Sequence, residues 1–416
     1  MSKNNTEEFL RRYSTARAKF NQWRGLHEDA YDYALPQRNL FATEGSPINQ
    51  GDRRNIHLYD NTAVDAVGVF ASRMLQMVAP VGKQWFRFEV SDLMKKSMKK
   101  EEIMDEEEIQ EQQAILDDLT DLFFHYWNNS NGANQFHEAF HDLAIGTCAI
   151  LTNETDDDDT PFVLNAVPIY QLAIEEGLLH NVDTIFRTHY IPYKTIRTLW
   201  EEATISERLG RMIENNPEEK LNVIEGVIYN RKTKKYDYRV VIHEGGEEIY
   251  KTAYFTNPWA VSRFKLVAGE SYGRGPVIDL LPDIKMINKA SEFVMRAAEK
   301  SSSEIFVAVD DGVLNPDIGL TLEPDSLVFV DDIKNLNRLP FQGRPDITQA
   351  LINERRFNIQ KKLLADSIDR AKALSPEEIN ALNSEKLFDM NAPFSRLTNE
   401  LLTPTIMRVL DILQKV

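Results

Sequence analysis

The 416-residue chain predicts a helix-rich α+β protein, and three observations lead there. Apolar residues repeat at helical spacing over long stretches near both ends. Between residues 149 and 264 the pattern changes to short runs rich in Val, Ile, Tyr and Phe, parted by polar or glycine turns, as grouped antiparallel strands require. At residues 262–288, SRFKLVAGESYGRGPVIDLLPDIKMIN, a Gly/Pro-rich loop runs straight into a helix with two unlike faces. With 42% hydrophobic and 10% aromatic residues the chain can bury a core, and its length suits two or three domains or subdomains.

Residues 6–33 predict the first helix, with Phe9, Tyr13, Phe20, Trp23 and Tyr31 set among Arg, Lys and Glu. Leu35-Pro36 ends it, because the residue before a proline leaves the α region. Residues 61–78 predict a second helix, Ala-rich and apolar on most sides, which implies a buried element. A short strand is expected through Trp85-Phe86-Arg87-Phe88. Residues 91–130 then predict a charged, solvated helix tethered at its end by Phe123, Phe124, Tyr126 and Trp127. Strands are expected over 162–164, 184–186, 227–229, 238–242 and 250–255, interrupted by a helix over 194–215, with Gly245-Gly246 as a hairpin turn.

Gly269, Gly273 and Gly275 offer positions where φ can be positive, and Pro276 and Pro282 suit the start of a helix, where a missing N–H costs little. Gly269, Gly273, Gly275 and Pro276 are therefore candidate hinge residues. From Ile278 onward, Leu281, Ile284, Ile287, Ala290, Phe293 or Val294 and Ala297 recur at helical spacing, while Lys285, Lys289, Arg296 and Lys300 fall along a different face. One face suits packing and the other a negatively charged surface. Strands over 305–309 and 327–330 follow. Pro340, Gly343 and Pro345 then break the chain before a second long helix over 347–370, rich in cations at Arg355, Arg356, Lys361 and Lys362. Ser375-Pro376-Glu377-Glu378 predicts a helix start by capping, so the preceding DSIDRAKAL is a loop or frayed turn carrying Arg370 and Lys372. A last helix runs to Val416 with a break near Asn391-Ala392-Pro393.

Composition excludes several classes. No apolar run approaches the roughly 18 residues of a membrane span, and the N-terminus lacks the apolar core of a secretion signal. The single cysteine, Cys148, excludes an internal disulfide and a Cys-rich zinc site. Against 48 basic side chains stand 65 acidic ones, and the formal charge of −17 opposes tight nonspecific binding to nucleic-acid phosphates. No P-loop occurs, and Gly273-Arg274-Gly275 lacks the third glycine and preceding strand of a dinucleotide fingerprint. His137-Glu138-Ala139-Phe140-His141 is a literal H-E-x-x-H, which on a helix sets both imidazoles on one face and could hold zinc with Glu138 as base. Ala144 and Thr147 stand where the metzincin extension needs Gly and His, and Phe136, Phe140, Leu143 and Ala144 give the same helix an ordinary packing stripe. Thr155–Thr160, TDDDDT, lacks the glycine and final glutamate of an EF-hand loop and suits a solvated turn.

Three ordered runs, WRGLHEDAYDYALPQRN from Trp23, DNTAVDAVGVFASRMLQMVAPVGKQWFRFE from Asp60 and the 262–288 run, resemble the portal, or head-to-tail connector, proteins of short-tailed bacteriophages. The resemblance spans residues 23–413. It implies a ring, of twelve subunits in that family, at one capsid vertex of the virion, assembled in the host cytoplasm. It implies a wing-like α+β body over 1–275, a first stem helix over 276–303, a clip-like insertion over 304–345, a second stem helix over 346–364, a channel loop over 365–376 and a C-terminal wing or crown helix over 377–416. Double-stranded DNA would pass through the channel during packaging and ejection, meeting Lys285, Lys289, Arg296, Lys300, Lys361, Lys362, Arg370 and Lys372. Terminase, capsid and scaffolding proteins and a tail adaptor are the implied partners, with no enzyme activity, cofactor, metal or membrane. The alternatives are a zinc metalloprotease through the H-E-x-x-H motif and another virion ring protein such as a tail adaptor.

Overall fold

In the computed structural model, the described residues are 2–41, 51, 53–54, 56–91, 106–177, 180–302, 306–308, 336–338, 345–365 and 391–415. Helix α1, Ser2–Ala34, is followed by a single 3-10 turn, Pro36–Arg38, where proline stops it as expected. Helices α2 (Thr62–Val78), α3 (Glu106–Asn129) and α4 (Gly132–Ile145) come next. Strands β1 (Thr147–Glu154) and β2 (Phe162–Ala166) form a hairpin, and β8 (Trp259–Arg263) joins the other edge of β1, giving the antiparallel order β2-β1-β8.

A second antiparallel sheet, in the order β3-β4-β5-β6-β7, contains Leu172–Glu176, Val182–Pro192, Lys220–Asn230, Lys235–Ile242 and Glu248–Tyr254. Its central residues are buried on both faces. Ala173, Phe186, Ile224 and Val241 point to α1 and pack with Phe9 and Ala16. Their chain neighbours Ile174, Ile185, Val223 and Val240 point the other way into the main core. This alternation is the period-two consequence of the pleat, and it explains why the strands read as short continuous apolar runs. The β6–β7 turn places Gly245 and Gly246 at φ of 94° and 64°, a conformation open to glycine at little cost.

Three sequence expectations change. The 85–88 segment is not a strand. Its backbone bonds to helix side chains: the Phe88 N–H donates to Thr120 Oγ1 at 3.2 Å, the Val90 N–H to Gln113 Oε1 at 3.2 Å, and Gln113 Nε2 to the Phe88 carbonyl at 3.1 Å. Trp85 and Phe86 meanwhile pack edge-on against Phe123, Phe124 and Trp127 of α3. The helix expected over 194–215 is two helices, α5 (Ile196–Leu199) and α6 (Glu207–Asn215). Trp200 turns into the core between them, and the Ser206 hydroxyl caps α6 by accepting the Leu209 N–H at 3.3 Å. Where a break is expected near Asn391-Ala392-Pro393, residues 391–397 are helical, and among the described residues the irregularity falls at a π-helical turn, Thr398–Leu402, before α9 (Thr403–Leu413).

Helices α7 (Pro276–Ser302) and α8 (Pro345–Lys362) pack against each other. At 1.5 Å per residue they are about 40 and 27 Å long. Between them the described residues hold β9, Phe306–Ala308, paired antiparallel with β10, Leu336–Arg338. The strand expected over 327–330 and the segment 366–390 lie outside the described residues. Among the described residues no helix is long and apolar enough to cross a membrane.

His27 on α1 is fully buried with neither ring nitrogen hydrogen-bonded, stacked on Trp23 at 5.5 Å and facing Tyr272 at 5.8 Å. Burial drives its pKa down to about 3, from 6.5. Between those values the unfolded chain binds a proton that the folded chain refuses, so stability from this site is complete above about pH 6.5 and falls as pH drops toward 3. Thermal melts at pH 7 and pH 5 should therefore show a smaller acid-induced fall for His27→Leu than for the wild type; equal falls would contradict this origin.

Candidate channel helix pair and its anchorage

The direction of α7 is set where its loop meets the two sheets. The Phe264 N–H donates to the Gly146 carbonyl at 2.8 Å, the Gly275 N–H to the Ile145 carbonyl at 2.7 Å, and the Gly273 N–H to Thr147 Oγ1 at 2.9 Å. Of the three loop glycines, only Gly269 has a positive φ, 88°. Gly273 and Gly275 are glycine for another reason. A Cβ on Gly273 would lie 2.4 Å from the Gly146 carbonyl oxygen, and one on Gly275 would lie 2.3 Å from that of Ala144. Backbone presses on backbone there, so neither side can yield. Pro276 opens the helix as expected, while Pro282 lies inside it rather than at its start, leaving the Ile278 carbonyl without its helical donor.

Arg263, at the end of β8, has no exposed side-chain surface. Its guanidinium bonds to Glu400 Oε1 at 2.7 Å, to Glu176, and to the His180 carbonyl at 2.8 Å. One buried cation thus joins β8, β3 and the π-helical turn behind the loop. Arg274 lies on the outer side of the same loop, bonded twice to Glu270 at 2.7 and 2.8 Å and stacked over Trp23 of α1.

Further along, polar contacts fix the helix pair to the body. Asn288 of α7 accepts the Tyr59 N–H at 2.7 Å and donates to the His57 carbonyl at 3.0 Å. Arg356 of α8 bonds to Asp60 Oδ2 through Nε at 2.8 Å and Nη2 at 2.6 Å, and the Asp60 side chain is 1% exposed. Burial pushes the Asp60 carboxyl up, but Thr62 and Arg356 outweigh it and hold it below the usual carboxylate value. Arg355 pairs with Asp283 at 3.1 Å, so two of the four cations noted in the second helix, Arg355 and Arg356, are structural ties.

The predicted DNA-facing cations separate into groups. Lys285 bonds to Asp29 at 2.8 Å and lies over the Tyr33 ring. Lys289 and Arg296 share one carboxylate, Glu292, at 2.7 and 2.5 Å, and both remain more than half exposed. Lys361 and Lys362 are exposed in the last turn of α8. The Lys300 side chain, Arg370 and Lys372 lie outside the described residues. Asp279, Asp283, Glu292 and Glu299 balance Lys285, Lys289, Arg296 and Lys300, so α7 is neutral overall.

The H-E-x-x-H residues are occupied otherwise. Glu138 pairs with Arg38 at 2.6 Å, His141 Nδ1 bonds to the His137 carbonyl at 2.9 Å, and His137 Nε2 meets Ser72 Oγ at 3.1 Å. Among the described residues no group of three His, Cys, Asp or Glu could hold a metal ion. In the acidic turn, Asp157 accepts the Asp159 N–H at 3.0 Å and the Thr160 hydroxyl at 2.8 Å, which closes the β1–β2 hairpin. Cys148 is buried, and burial raises its thiol pKa.

Close contact at Gly275 and positive φ at Gly269 predict different costs. Gly269→Ala should destabilise by roughly 1–2 kcal/mol, the usual penalty of the left-handed region. Gly275→Ala should cost more, at least about 3 kcal/mol, because main chain must shift. Urea unfolding midpoints check this, and equal midpoints for the two variants would contradict it.

A family model described as bacteriophage head to tail connecting protein matches residues 6–416. The chain is similar to a protein described as a probable portal protein of Bordetella phage BPP-1, 23% identical over 420 residues, covering 95% of this chain and 72% of that protein. It is also similar to the portal protein of Salmonella phage epsilon15, 20% identical over 443 residues, covering 100% of this chain and 76% of that protein. With its match running nearly end to end, the chain belongs to the family of bacteriophage head to tail connecting proteins.

Proposed function

We propose that the chain is a portal subunit, one member of a ring at a single capsid vertex through which phage DNA enters and leaves. The family match over residues 6–416, with portal proteins among its relatives, carries this assignment. The anchored helix pair supports it mechanically. A channel wall must hold its direction against a moving polymer, and α7 and α8 are braced at the Gly273–Gly275 contact, at Asn288 and at the Arg356–Asp60 pair.

The ring has twelve subunits, with α7 and α8 as the stem, the insertion between them as the clip, and residues 365–376 as the channel loop. Within it Lys361 and Lys362, with Lys300, Arg370 and Lys372, make weak, sequence-independent contacts with passing phosphates, while the acidic remainder keeps DNA from sticking. Lys285, Lys289 and Arg296 contribute less, since carboxylates already engage them. Terminase docks during packaging and a tail adaptor joins afterwards; capsid and scaffolding proteins surround the ring. Its action is mechanical and electrostatic, with no bond made or broken in the chain.

Electron micrographs of the purified protein should show twelve-fold rings with a central hole. Exclusively monomeric protein at all concentrations would contradict the assignment. One ring per capsid, bound by terminase, separates a portal from a tail adaptor.

A further inference from the structure

We infer that the outward stripe of α7 docks into the groove on α2 of the neighbouring copy of the chain, an inference that rests on the ring assignment above. The stripe follows strict 4-3-4-3 spacing along one helix face: Pro282, Met286, Lys289, Phe293 and Arg296, all exposed. Phe293 is 57% exposed and Met286 37%, so large apolar groups face outward on a helix whose other side is already packed. A face meant only for sliding phosphates has no use for them. Lys289 lies over the Phe293 ring at 5.1 Å, and with Arg296 and Glu292 it leaves one net positive charge on the stripe.

The complementary surface is on α2. The sequence of that helix is apolar on most sides, which predicts burial all round, yet Val69 is 39% exposed and a groove of about 490 Å³ opens along its outer face. Val64, Gly68 and Val69 form its floor, and Gly68 makes the hole, since a Cβ there would meet nothing within 4 Å. Asp65 supplies an exposed carboxylate in the first turn, opposite in sign to the stripe, while Arg73 lines the far part of the groove. Stripe and groove are different surfaces of one chain. Joining them is a heterologous contact, which passes from copy to copy and closes into a ring when the rotation permits. Apolar knobs seated in a glycine hole with charges at the rim give such a contact both affinity and register. Lys289 and Arg296 then lie between subunits, and the phosphate contacts fall to Lys300, α8 and the segment after it.

Cross-linking tests the contact directly. The double variant Gly68→Cys with Phe293→Cys should give, under mild oxidation, a ladder of disulfide-linked multimers on a non-reducing gel, while each single variant gives none. The buried Cys148 stays inert as a background. Separately, Phe293→Asp and Gly68→Trp should each lower ring yield at least tenfold, with thermal melts showing the subunit still folded. Rings at wild-type yield in both of these variants, together with no ladder from the double variant, would overturn the inference and leave the ring assignment standing. Absence of rings from the wild type itself would overturn the assignment and this contact with it.

Discussion

The structure depends on a place where main chain lies against main chain. Gly273 and Gly275 approach the backbone of Ala144, Ile145 and Gly146 so closely that none of the three glycines has room for a Cβ, and the buried Arg263 braces the rear of the same loop through Glu176 and Glu400. Such a contact has no soft component. A side-chain interface absorbs small displacements by changing rotamers, whereas opposed backbones transmit them. The start of α7 is consequently fixed relative to both sheets, and a helix about 40 Å long carries that fixed direction to its far end.

The ties beyond the joint are mostly ionic, and they differ in kind. Asp60 is almost wholly buried and held by Arg356, so removing the arginine would strand a charge in the interior. Lys285–Asp29 is part-exposed, and the cations Lys289 and Arg296 are exposed around a largely covered Glu292, so these pairs are screened by salt on at least one side and worth little to stability. Their effect is electrostatic: a helix with as many carboxylates as cations presents weak net attraction to a polyanion.

Much of this architecture was legible in the sequence because it is local. The boundaries of α1 and α2 follow from apolar period, proline and Ala content, and the β6–β7 turn from its two glycines. The 85–88 segment reads as a strand from its aromatic content, while its backbone partners are side chains of α3, distant in sequence. The loop glycines were recognised, but as places for positive φ; that two of them answer to close approach is a fact about the facing chain at Ile145 and Gly146. Arg263 went unmarked for the same reason, since Glu400 lies 137 residues away. The one available signal was a basic residue ending an otherwise apolar strand, a position that is seldom charged unless paired. For the candidate cations, the helical period locates the two helices, although the second ends at Lys362 rather than running on to 370, yet residue type and spacing could not separate exposed lysines from the arginines that pin the pair.

The contacts of the loop before α7 make it a rigid support rather than a pivot. Hydrogen–deuterium exchange of the purified protein tests it most directly, read at the amides of Phe264, Gly273, Arg274 and Gly275, each of which donates a hydrogen bond. If the joint fixes the helix, these amides exchange as slowly as those of β1 and β8, opening only with global unfolding. Exchange orders of magnitude faster than in the two strands would show that the loop opens on its own, and the account would be wrong.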